Sequence, residues 1–153
     1  MAISIKKVTL WRAEVENKPG ALSSVLAPLA EVGADLQVVM GYRYADEENK
    51  AAIEICTVSG KKPAIAASKA GLVASTIPTL LVHGDNKPGM GYVIARAISE
   101  AGINVMFLVA QVIDTRFSAV IGFEEEEASK QATTLIKMAV KKIEKELESS
   151  AQI

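Results

Sequence analysis

One cysteine and one histidine occur in the 153 residues. A lone Cys56 excludes an internal disulfide. With His83 as its sole companion it also excludes the usual zinc frameworks, which need clustered Cys and His ligands. Aromatic residues are scarce as well, three Phe, three Tyr and one Trp, and the formal charge is only −1. Sheets that stack nucleic-acid bases need exposed aromatics in basic surroundings, so nucleic acid is not an expected partner. No apolar run approaches the ~20 residues that span a bilayer, and Lys6 and Lys7 are not followed by the apolar stretch of a signal peptide. A cytoplasmic protein with no membrane partner is expected. What the chain has in quantity is aliphatic residues: half of it is hydrophobic and less than a quarter is charged, which suits a packed globule and not a disordered segment.

The sequence is organised around a duplication. Asn17-Lys18-Pro19-Gly20 returns as Asn86-Lys87-Pro88-Gly89, 69 positions later. At the same offset Gly33-Ala34-Asp35-Leu36 faces Gly102-Ile103-Asn104-Val105. A repeat of this length identifies the building unit, so two small modules are expected, residues 1–75 and 76–153.

In the first copy, residues 3–15 read as one strand, with Val8 and Leu10 on one face and Trp11, Ala13 and Val15 on the other. Pro19-Gly20 opens a helix, where a proline is tolerated because its missing N–H would be unpaired. Leu22, Val25, Leu26 and Leu29 give that helix an apolar face, Pro28 predicts a bend or early end, and Gly33 a stop. Strands follow over 36–42 and 51–58, then an alanine-rich helix ending at Gly71 and a strand over 72–76. This β-α-β-β-α-β order is the ferredoxin-like one. The expected fold class is therefore α+β: two tandem ferredoxin-like modules, each an antiparallel sheet with helices on one face.

The second copy repeats the order with a strand over 79–84, a helix over 89–101, and strands over 104–113 and 117–123. Residues 105–113 are apolar on both faces, which predicts a cover from the other copy or a second subunit. A long helix begins near Glu124–Glu127, with Lys137, Lys141, Lys142 and Lys145 towards its end as its dipole favours. Ser149–Ile153 is too short to provide a fourth strand.

Catalytic groups are absent in combination. His83 has only Asp85 beside it, and a hydrogen-bonded structural pair is expected there. Four contiguous glutamates cannot converge on one ion, and Gly89-Met90-Gly91 lacks the third glycine of a dinucleotide fingerprint. No metal, no cofactor and no enzymatic activity are expected. Binding is better supported. Each Pro-Gly turn leads into a helix whose first amides lack partners, which favours an anion such as a carboxylate. Gly20 and Gly89 permit close approach, and the carboxamides of Asn17 and Asn86 both donate and accept. Asp35 and Asn104, opening the next strands, are expected to reach the same clefts.

Asn-Lys-Pro-Gly, an apolar helix, then Gly-Ala-Asp-Leu or Gly-Ile-Asn-Val resembles the ACT domain, the small-molecule regulatory module of amino-acid metabolism, in two tandem copies. The resemblance implies a ferredoxin-like fold, assembly through sheet edges or helices as a homodimer, and an amino-acid ligand at module interfaces. It nominates Asn17, Lys18, Pro19, Gly20, Ala21, Leu22 and Asp35 in one copy, and Asn86, Lys87, Pro88, Gly89, Met90 and Asn104 in the other. Serine-sensing members carry His two residues before the turn asparagine, where Val15 and Gly84 stand here. Phenylalanine-sensing members carry Glu-Ser-Arg-Pro after the second strand, where Val39-Met40-Gly41-Tyr42-Arg43 stands. With no catalytic domain in these residues, the resemblance implies a free-standing regulator, acting alone or on a partner enzyme. The alternative is an assembly module with purely structural turns.

Overall fold

A computed structural model describes residues 3–152. Its elements run β1 (Ser4–Val8), β2 (Trp11–Glu16), α1 (Ala21–Glu31), β3 (Val38–Arg43), β4 (Lys50–Cys56), α2 (Lys61–Lys69), β5 (Val73–Ala74), β6 (Thr79–Asp85), α3 (Met90–Glu100), β7 (Val105–Ile113), β8 (Arg116–Phe123) and α4 (Glu126–Ala151). The chain forms two compact units. The first is Val8–Thr76; the second joins the segment ending at Lys7 to the chain from Ile77 onward.

In the first unit the sheet order is β3-β4-β2-β5, with β4 antiparallel to β2 and β3. Strand alternation places Ala13, Ile53 and Ile55 on the helix side, where they pack with Val25 and Leu29 of α1 and Ala66 and Ala67 of α2. Of the bend or early end expected at Pro28, the early end does not occur: the helix α1 continues to Glu31, just before Gly33. Proline there removes the bond to the Ser24 carbonyl at a cost of roughly 3 kcal/mol. Full burial of Leu29, on the order of 1.5–3 kcal/mol, offsets much of it.

In the second unit the order is β1-β6-β8-β7. Here the expectation of one strand over 3–15 is corrected. The segment breaks at Thr9-Leu10, β2 joins the first sheet, and β1 joins the second, in the position that β5 holds in the first unit. Ile3 and Ile5 pack against the core formed by Val82, Ile94, Ile121, Phe123 and Ile136. The fourth strand that the second copy lacks at its own end comes from the beginning of the chain. In its place at the end, α4 runs on to Ala151, burying Ala132, Ile136 and Val140 along one stripe. Because the helix continues past Lys145, its last turn holds no basic residue, contrary to the dipole pattern expected.

The strand β7 lies at the edge of its sheet. Met106, Leu108, Val109, Val112 and Ile113 are exposed, while Val105 and Phe107 are half-buried. In both units the helices lie on one face of an antiparallel sheet, and the architecture is α+β as expected.

Candidate ligand-binding clefts

Each Pro-Gly turn is built by the same device. Gly20 and Gly89 precede α1 and α3 with φ of 87° and 88°, a left-handed conformation that side chains with a Cβ rarely adopt. The turn is then clipped to the neighbouring hairpin. The Asn17 N–H donates to the Asn49 carbonyl at 2.8 Å, and the Asn86 N–H to the Thr115 carbonyl at 2.7 Å. Inside the turns, Ala21 donates to Lys18 and Ser24 to Gly20, while Met90 donates to Lys87 and Val93 to Gly89. The intervening amides, Leu22 and Ser23 in one turn and Gly91 and Tyr92 in the other, have no backbone acceptor among the described residues.

A cleft adjoins each turn. In the second unit it measures about 260 Å³ and lies between α3 and the edge strand β7, lined by Asn86, Met90, Gly91, Ile94, Leu108, Ala110, Gln111, Val112, Phe117 and Ala119. The register explains the lining: Ala110 pairs with Ala119 and Val112 with Phe117, so all four face the helix side. In the first unit a cleft of about 250 Å³ occupies the corresponding place, with Asn17, Lys18, Ala21, Leu22, Gly41, Tyr42 and Arg43 among its lining.

Of the residues nominated from sequence, the structure thus brings Asn17, Lys18, Ala21 and Leu22 to one cleft and Asn86 and Met90 to the other. Pro19, Gly20, Pro88 and Gly89 form the turns without lining either cleft. Lys87 lines a separate surface hollow with Asp85 and the end of α4. Asp35 and Asn104 do not reach the clefts. They follow helices of 11 residues, which carry the chain about 16 Å away from the turns. Asp35 is exposed, and the Asn104 amide points to Glu124 Oε1 at 3.5 Å. The residues missed were those of β7 and β8, whose part depends on which strand faces the helix.

The two asparagines differ. Asn17 Nδ2 donates to the Glu48 carbonyl at 2.8 Å, so half of its carboxamide holds the β3–β4 loop. The Asn86 side chain has no hydrogen-bond partner among the described residues. The expected His83–Asp85 hydrogen bond does not form. Arg116 Nη1 donates to Asp85 Oδ1 at 3.0 Å, and His83 Nδ1 and Asp85 Oδ2 are buried without partners. Burial pushes the Cys56 thiol above its ordinary pKa, which makes it a poor nucleophile. Among the described residues no three His, Cys, Asp or Glu side chains gather as metal ligands would, and no helix is long and apolar enough to cross a membrane.

On the first unit's sheet, Tyr42, its pKa raised by burial and by the Glu54 carboxylate, donates to Glu54 Oε2 at 3.0 Å. Beside it Arg12 donates to the Tyr44 hydroxyl, which donates to Glu14. These polar side chains satisfy one another.

No protein-family profile matches the chain, and no curated protein matches its sequence. Solved structures do match in shape. The regulatory subunit of aspartate kinase from Thermus thermophilus, in its ligand-free form, superposes with a TM-score of 0.60 at 15% identity, over 91% of this chain and 97% of that one. The fold is that of aspartate kinase regulatory subunits. The Thermus flavus regulatory subunit agrees, with a TM-score of 0.60 at 16% identity over 92% of this chain and 97% of its own. A protein from Bacteroides thetaiotaomicron superposes with a TM-score of 0.69 at 15% identity, over 85% of this chain and 88% of its own. The α+β fold expected from the sequence is therefore shared with these structures across nearly the whole chain.

Proposed function

We propose that the chain is an ACT-type, non-catalytic regulatory protein of the cytoplasm that binds a free amino acid beside a Pro-Gly turn and works as a homodimer, alone or on a partner enzyme. The observation that carries this is the second unit's cleft, which is lined both by Asn86, whose carboxamide has no partner among the described residues, and by Gly91, whose amide has no backbone acceptor there. A carboxylate suits the amides at the helix start, and a carboxamide can address both the ammonium and the carboxylate of an amino acid. The cavity is slightly smaller than the ~300–1,000 Å³ typical of drug-sized ligands, in keeping with one small metabolite. Regulation then follows if the ligand has different affinities for two states of the assembly. The Thermus neighbours are regulatory subunits of an enzyme, which supports a partner enzyme here.

The test is a thermal-unfolding panel of the twenty amino acids. A ligand at a hundred times its dissociation constant adds ~2.7 kcal/mol of stability, several degrees for a chain of this size. No upward shift with any amino acid would sink the sensor function. The exposed apolar edge strand would then favour the second reading, a module whose task is assembly alone.

A further inference from the structure

Resting on the amino-acid reading above and extending it to the side-chain class, we propose that the second unit's cleft takes an amino acid with an aliphatic, uncharged side chain, in the size range of valine to methionine. Met90, Ile94, Leu108, Val112, Phe117 and Ala119 form its walls, and among the described residues no charged one lines it. Its polar lining residues, Asn86 and Gln111, are both neutral, and the Gln111 side chain alternates to the opposite face between Ala110 and Val112. A ligand ammonium, guanidinium or second carboxylate would lose hydration against these walls without gaining a counter-ion. An aliphatic chain would leave water for apolar contact. The backbone end of the ligand meets Asn86 and the Gly91 amide, whose residues line the same cavity.

The first unit shows how the same fold is made unsuitable for that ligand. Leu22 stands where the second copy has Gly91, and Arg43 stands where it has Val112. Lys18 adds a second cation to that cleft, and the Asn17 amide is already tied to Glu48. The Leu22 side chain occupies space that Gly91 leaves open, and Arg43 puts a full positive charge where Val112 is apolar. The duplicated turns therefore frame two clefts of different chemistry, and the aliphatic ligand belongs to the second.

Titration calorimetry of the intact chain against the twenty amino acids tests this, alongside Gly91→Leu and Val112→Arg. A Cβ at Gly91 meets nothing within 4 Å and the residue has no positive φ, so the leucine variant is expected to fold, as its unfolding midpoint will verify. The expected result is heat from valine, isoleucine, leucine or methionine and none from aspartate, glutamate, lysine or arginine. Gly91→Leu should weaken the binding by more than about tenfold, the scale on which a pocket discriminates even one methylene. Val112→Arg should weaken aliphatic ligands in the same direction. If a charged amino acid binds and Gly91→Leu abolishes it, the side-chain class is wrong while the sensor function stands. If aliphatic binding survives Gly91→Leu unchanged, the ligand sits elsewhere and the inference fails. Absence of binding by every amino acid overturns both.

Discussion

At the scale of single residues, glycines two positions apart do different work. Gly89 has φ of 88°, while Gly91 has no positive φ and open space around its missing Cβ. Replacing Gly89 by alanine should cost about 1–2 kcal/mol in urea unfolding, the penalty of a left-handed L-residue. Gly91→Ala sits inside a helix and should be neutral or stabilise by up to about 1 kcal/mol. A third glycine is constrained by a neighbour. A Cβ at Gly122 would lie 2.2 Å from Phe107 Cε1 across the β7–β8 pair. Gly122→Ala should therefore cost roughly 1–3 kcal/mol by overpacking. A double-mutant cycle with Phe107→Ala should recover much of that loss, and additive effects would show that the ring turns aside freely. The need for Gly20 and Gly89 could be read from the duplicated Pro-Gly turns. The need for Gly122 could not, because it arises from the Phe107 side chain, which only the β7–β8 register brings against it.

At the scale of elements, periodicity located the helices and most strands, but the partner of β1 lay beyond its reach. The alternation of residues 3–15 runs through Thr9-Leu10 without a glycine or proline, so nothing local announces that one strand has become two. Only the sheet, which needs a fourth member beside β6, separates them. Two interactions hold β1 in place. The Lys7–Glu126 ion pair is 63% and 43% exposed at its two side chains, and such surface pairs contribute only ~0–1 kcal/mol. Packing of Ile3 and Ile5 on the core, with the backbone pairing to β6, is the larger contribution. Glu126→Gln should then shift unfolding by less than about 1 kcal/mol. Removal of the chain through Lys7 should abolish amide-exchange protection along the exposed side of β6, while α1 and β4 of the first unit stay protected. Loss of protection in the first unit as well would show that the two units unfold together and not as separate cooperative bodies.

At the scale of the whole molecule, β7 joins the candidate cleft to the question of assembly. Nine residues without a charge form an edge with unpaired backbone groups, and side chains on both faces are exposed. Isolated soluble proteins protect such edges with lysine, proline or short length, and β7 has none of these. A second copy pairing antiparallel along β7 would satisfy the backbone and set its side chains beside Val109 and Ile113 on the face away from the helices. The same strand supplies Leu108, Ala110 and Val112 to the cleft, so a ligand bound there sits against the element that forms the proposed dimer contact. By linkage, if the ligand prefers the paired state, dimerisation must tighten ligand binding by the same factor. Sedimentation equilibrium should find a dimer for the native chain and a monomer for Val109→Lys, since a lysine in the middle of an edge strand opposes edge-to-edge pairing. An aliphatic amino acid should lower the native dimer's dissociation constant, and the lysine variant should bind that amino acid more weakly although residue 109 does not line the cleft. A native chain that stays monomeric at high concentration would remove the dimer. A dimer whose stability ignores the ligand would separate assembly from sensing.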